Sequence, residues 1–373
     1  MAKHRDISIA VLLLALWSLA VLFLMRGMWS MDMSAIYLAG HFAASGDLPL
    51  IYDGPPGLTG RVLYPEKLAF IYQQGVGDVL MPAYVYPPLW AFVASPLATA
   101  TDAIAFFDIT RVLNVAAFSA AILLAWRIMA PKHLSATSFT ALTIVMASVS
   151  MTSGFAVYQN QPQVLVTFLL LLSFERYLAG KPLVAGVVLG VVAANKVSPI
   201  FFCLIFLAER DWKAAGAAIG TAALLALVSL GIGGVDLHLQ YLELVRQFEA
   251  MLPMHGLNIT FETLMHDLWV PVSYGTLEGN PNIPMDTAWV SWLSKVLMVA
   301  GLALVFWATR GAVRADRIRL RLVFGGLALA FFSPLAWIHH YLFALLLIPA
   351  LPQLATRHGA LVAALLALVA QST

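Results

Sequence analysis

Apolar runs follow one another along most of this chain, and two polar stretches interrupt them. The first run, residues 7–25, is long enough to span a bilayer and follows the basic residues Lys3 and Arg5. No small-residue cleavage site lies before Arg26, so it reads as a retained first helix and not as a signal peptide. The longest interruption, 26–88, is rich in Gly, Pro and Tyr (IYDGPPGLTGRVLYPEK) and predicts turns and short interfacial helices with aromatic rings at headgroup level. Further apolar stretches cover 88–100, 112–129, 136–153, 164–178, 183–194, 200–208, 214–232, 288–308, 322–334, 342–354 and 360–370. Several fall short of the roughly 20 residues a simple span needs, which predicts broken or paired helices lining a cavity. In the second interruption, about 233–287, Leu237, Tyr241, Leu244, Val245, Phe248 and Met251 recur every three or four residues, as in a helix lying flat on the membrane surface.

Charge sets the expected orientation. The basic N-terminus and the arginine loop Arg310, Arg314, Arg317, Arg319 and Arg321 mark the cytoplasmic side, which places both interruptions and the cluster WIHHY at 337–341 outside. YQNQPQ at 158–163 carries a conflict of parity: counting from the C-terminus puts it outside, whereas counting every apolar run from the N-terminus puts it inside. Either 88–100 does not cross, or 136–153 is more than one helix. The expectation is an all-α polytopic membrane protein, a bundle of about ten to twelve transmembrane helices in one domain spanning 1–373. Its two large extracytoplasmic loops, about 26–88 and 233–287, carry interfacial helices.

Composition agrees: 61% of the 373 residues are hydrophobic and 11% charged, with a mean hydropathy of +0.86, more apolar surface than a soluble domain can bury. The one cysteine, Cys203, excludes an intrachain disulfide and a cysteine-cluster metal site. A net charge of +2, with arginines dispersed among short loops, implies no nucleic-acid partner.

Against that background the embedded polar residues stand out, and they share the expected outer face: Asp32, Tyr86, the amides at 159–163, Asn258, His339 and His340. A carboxylate at the lip of a span is costly unless it faces protein, headgroups or water, so Asp32 is the leading candidate for chemistry, with helix capping as its structural reading. Lys196, between two short apolar runs, must snorkel or meet an anion. His339 and His340 project to different sides of a helix, so at most one points into a cavity. The amides around Pro162 cap helix ends in their structural reading.

The order of these elements resembles a family. Asp32 after the first helix, Tyr86-Pro87-Pro88 with Pro96-Leu97, a Gln/Asn segment, Ala185-Gly186 with Lys196 and Pro199, Asn258 with Thr260, and Ser333 to Tyr341 are similar to the polyprenyl-phosphate-sugar-dependent glycosyltransferases of the GT-C class, family GT87. The resemblance covers about residues 30 to 345. Two positions depart from it: no glycine precedes the first amide of YQNQPQ, and Ile338 stands where a polar residue is expected. The resemblance implies a GT-C-like bundle in a bacterial inner membrane, with its active site facing the periplasm or exterior. It implies transfer of a sugar, mannose before arabinose, from a polyprenyl-phosphate donor to a lipid or glycan acceptor hydroxyl, among membrane lipids and without a cofactor or metal.

In that reaction Asp32 serves as general base and His340 as the catalytic group at the departing phosphate. His339, Lys196, Asn160, Gln161, Asn258, Tyr86 and Trp337 bind substrate, and one base opposite one leaving group gives inversion. The alternatives are a transporter or flippase for a glycolipid, since broken helices with buried polar groups also describe substrate pathways, and a non-catalytic assembly subunit.

Overall fold

The computed structural model describes residues 2–52, 82–253, 257–269, 282–284 and 288–353. The turns expected within 53–81 and the run at 360–370 lie outside the described residues.

The chain is an all-α polytopic membrane protein, with one short antiparallel ribbon, Met251–Pro253 against Asn282–Pro284, that the all-α reading did not anticipate. Among the described residues four helices are long and apolar enough to cross a membrane, at His4–Met25, Ala103–Met129, Trp212–Gln247 and Ala288–Thr309. Ala136–Val149 and Met151–Tyr158, bent at 76°, are together long and apolar enough to count as a fifth, broken span. Shorter apolar helices, among them Pro182–Asn195, Ser198–Ala208 and Ile338–Leu351, complete the bundle, as the short runs predicted.

Long-range contacts fix which ends lie together. Asp6 accepts hydrogen bonds from the backbone of Ala136 and Thr137, Arg319 donates to the carbonyl of Ile128, and Arg317 and Arg321 both pair with Glu209 at 2.7 Å. These gather the N-terminus and the arginine loop at one end of the bundle. At the opposite end Asp108 accepts from Gly27, and Asn160 bonds to Phe107 and Thr110. Residues 158–163 therefore share an end with the turn before Asp32, and the parity conflict resolves.

Leu89–Ala100 does not cross. It forms an antiparallel pair with Met31–Ser45, where Gly40 lies so close that a Cβ there would come within 2.9 Å of Ala98. Trp90 donates to Ala194 at 2.9 Å, and Tyr37 reaches Thr101, so both ends of this helix stay at the Asp32 end.

Close packing also places Lys196. A Cβ at Gly190 would sit 2.6 Å from the Ala218 carbonyl, and Gly186 is equally hemmed in by Ala214. Small residues let Pro182–Asn195 lie directly on Trp212–Ala250, and this helix ends at Lys196. Gly234 breaks the long helix with φ 73, a left-handed conformation that suits glycine. Beyond the break Leu237, Tyr241 and Leu244 pack on Ala35, Phe42 and Ile51. The stripe expected to lie on a membrane surface thus faces protein, while Val235, Leu239 and Leu242 leave a second apolar face exposed.

Candidate active site

Asp32 lies in the first turn of Met31–Ser45, in the layer where this helix meets the Tyr158–Gln163 turn. Asn160 adopts a left-handed φ of 52, which asparagine tolerates better than most residues. Its side chain is fully engaged, donating to Phe107 and Thr110 and accepting from Asn114 at 2.7 Å. These bonds pin the turn, and the amides on either side of Pro162 each engage a charged side chain. Gln161 donates to the Asp32 carboxylate, and Gln163 accepts from the Lys196 ammonium at 3.0 Å.

Lys196 also contacts Nε2 of His340. An ammonium has only donors, so His340 must accept through Nε2 and carry its proton on Nδ1 while Lys196 is charged. His339 turns away from its neighbour, edge to face at 4.9 Å, and stacks parallel to Phe155 with centroids 6.2 Å apart. Its Nδ1 is buried and has no hydrogen-bond partner among the described residues. The two rings therefore point to different sides, His340 toward Lys196 and His339 toward Phe155.

Asp32, Lys196 and His340 are half-buried and His339 is buried. Burial pushes the Asp32 carboxyl up to about 7, with Lys196 acting in the opposite direction. Burial likewise draws the Lys196 ammonium down, opposed by Asp32. The two groups feel each other's charge across the cleft. A carboxylate poised near neutrality beside a cation can take a proton from one ligand while the cation holds an anion.

Three further residues are placed around this core. Tyr86 is near enough to Asp32 for the carboxylate to raise its phenol, although burial is the larger cause; its carbonyl accepts from Tyr52 at 2.6 Å. Asn258 holds the WIHHY segment in place: its Oδ1 accepts from Ala336 and its Nδ2 donates to Thr263. Asn258 and Trp337 form an isolated antiparallel bridge, extended by Ile338 donating to Leu257 at 2.7 Å and Tyr341 donating to Ile259 at 2.5 Å. Sequence reasoning singled out the amides at 159–163 but missed Phe155 and the buried Arg111. Arg111 was detectable as a charge inside an apolar run with Asp108 three residues earlier.

Among the described residues no group of three or more His, Cys, Asp or Glu is placed to hold a metal ion.

The model of glycosyltransferase family 87 matches residues 84–335. The chain belongs to this family. As a family 87 member it is a membrane-embedded glycosyltransferase, and the match runs from Tyr84 through the amide turn and Lys196 to the start of the segment that carries the histidines. A polyprenol-phosphate-mannose-dependent alpha-(1-2)-phosphatidylinositol mannoside mannosyltransferase of Mycobacterium tuberculosis is 28% identical over 345 residues, 88% of this chain and 74% of its own length. Its namesake from Mycolicibacterium smegmatis is 27% identical over 307 residues, 78% of this chain and 66% of its own. No solved structure is significantly similar to this family 87 chain.

Proposed function

We propose that the protein transfers mannose from a polyprenol-phosphate donor to a hydroxyl of a lipid-linked acceptor, at the extracytoplasmic face of a bacterial inner membrane and with inversion at the transferred carbon. The observation that carries this reading is the cleft itself, where a carboxylate and a Lys196–His340 pair face each other in a family 87 chain. The mannosyl donor and a phosphatidylinositol mannoside acceptor are the substrates in the relatives' names.

In the proposed step Asp32 takes the proton of the acceptor hydroxyl as its oxygen bonds to the anomeric carbon. The bond from that carbon to the phosphate oxygen breaks, and its electron pair leaves on the lipid phosphate. Lys196 and His340 stabilise the charge that develops there, the kind of interaction that strengthens in the transition state. His339, whose Nδ1 has no hydrogen-bond partner among the described residues, bonds the donor. Gln161 orients the base, and Tyr86 lines the acceptor side. Asn160, Asn258 and Trp337 act by fixing the turn and the segment that carry the contacting groups. Outward placement is supported by the arginine loop at the far end of the bundle. The proposed step uses no metal or cofactor.

Purified protein in detergent or nanodiscs, supplied with radiolabelled polyprenyl-phosphate mannose and a phosphatidylinositol mannoside, should yield a labelled, larger glycolipid. The anomeric configuration of the product, read by NMR against that of the donor, tests inversion. Movement of donor between leaflets of a vesicle without bond formation would instead establish a flippase.

A further inference from the structure

We infer that Arg111, with Asp108, is a positioning residue for Asp32, setting where the base stands without touching substrate; the inference rests on the reading of Asp32 as base. Arg111 is 1% exposed within the apolar Ala103–Met129 helix. A buried guanidinium in a membrane bundle is expensive, and pairing does not by itself make it stabilising. Asp108 accompanies it at 2.7 Å, and among the described residues the Arg111 Nε has no hydrogen-bond partner.

What the guanidinium grips is the turn that leads to Asp32. Its Nη2 donates to the Met28 carbonyl at 3.0 Å and to the Ser30 hydroxyl at 2.7 Å. Asp108 completes the grip by accepting from the backbone of Gly27 at 3.1 and 3.2 Å. The ion pair therefore holds both ends of the four-residue turn 27–30, between the end of the first span and the start of Met31–Ser45. Ser30 is the N-cap of that helix, but its hydroxyl makes no capping bond and goes to Arg111 instead. Serine here ties the helix start to a neighbouring span instead of closing the helix on itself.

Asp32 stands two residues beyond Ser30, so the clamp and the Gln161 contact fix it from two sides. Misplacement of a reacting group by about 1 Å can cost on the order of 10²-fold in rate. The clamp's hydrogen bonds run to residues 27–30, whereas Lys196 bonds to Gln163 and His340, so its loss should lower kcat while the KM for donor stays nearly constant.

The test measures kcat and donor KM for wild type, Ser30→Ala, Arg111→Lys, Arg111→Met, Asp32→Asn and the Asp32→Asn/Arg111→Met double variant. Arg111→Met should lower kcat about 10²-fold with donor KM within about twofold. Ser30→Ala, which leaves the ion pair intact and carries the test if Arg111→Met fails to fold, should lower kcat about tenfold, and Arg111→Lys should recover part of the Arg111→Met loss. In the Asp32→Asn background Arg111→Met should cost less than about twofold, because the group it positions is gone. Equal losses in both backgrounds, or a rise in KM at constant kcat, would overturn the inference while leaving Asp32 as base. Near-normal turnover by Asp32→Asn would remove the base reading and this inference with it.

Discussion

Replacing Asp32 by Asn isolates the proton-accepting function with little disturbance of shape. The amide keeps the side-chain volume and an oxygen that can accept from Gln161, so the cleft should persist. Loss of a general base costs on the order of 10² to 10⁴ in rate, or about 3–5 kcal/mol of barrier at roughly 1.4 kcal/mol per decade. The pH dependence follows from the raised carboxyl. The ionised form is the base, and burial places its midpoint at about 7, so activity is present above that pH and lost as pH falls through it. Well below the midpoint the wild-type rate should drop about tenfold per pH unit.

The sign for stability is opposite to that of a salt-bridged acid. A carboxyl whose folded value is raised is favoured as the neutral group, so its contribution to stability is full below the ordinary carboxylate range and is lost as pH rises from there to about 7; above that pH Asn should leave Tm unchanged or slightly higher. Single-turnover rates from pH 5 to 9, with Tm measured on the same preparations, read both effects. Turnover within a fewfold of wild type, or an acidic limb that survives in the Asn variant, would refute the assignment.

Lys196→Gln removes the cation that opposes the upward push on Asp32. The acidic limb of the pH–rate profile should then move to higher pH, and donor binding should weaken, as a titration of kcat and KM across pH would record. His340→Ala should weaken donor binding and slow the chemical step together, because Nε2 meets Lys196 where the phosphate is proposed to sit. If His339→Ala and His340→Ala both bind and turn over donor as wild type, the phosphate site lies elsewhere. At the other end of the bundle, Glu209 is the shared partner of Arg317 and Arg321. Glu209→Ala leaves buried positive charge unpaired and should cost about 3–5 kcal/mol of stability, visible as a lowered Tm with kcat per folded molecule unchanged.

The bundle and the cast of the cleft were legible in the sequence because lipid makes polar side chains costly, so each that persists among apolar spans needs a reason. Asp32, Lys196 and His340 were found on that ground, and the structure brings them together. Their partnerships were not legible. Whether 88–100 crosses depended on Gly40 lying against Ala98 and on Trp90 reaching Ala194, contacts between residues 58 and 104 positions apart that no local pattern encodes. After Gly234 the segment is apolar on two faces, one packed on protein and one exposed, and periodicity does not say which face meets protein. Asn160 was expected to contact substrate, yet every polar atom of its side chain is engaged within the protein. Arg111 was passed over although its charge was in plain view, because its partners at Met28 and Ser30 are 83 and 81 residues away. The groups that touch a reaction must be chemically unusual for their surroundings, and composition exposes them. The groups that hold them still need only be correctly placed, and that placement resides in tertiary contacts.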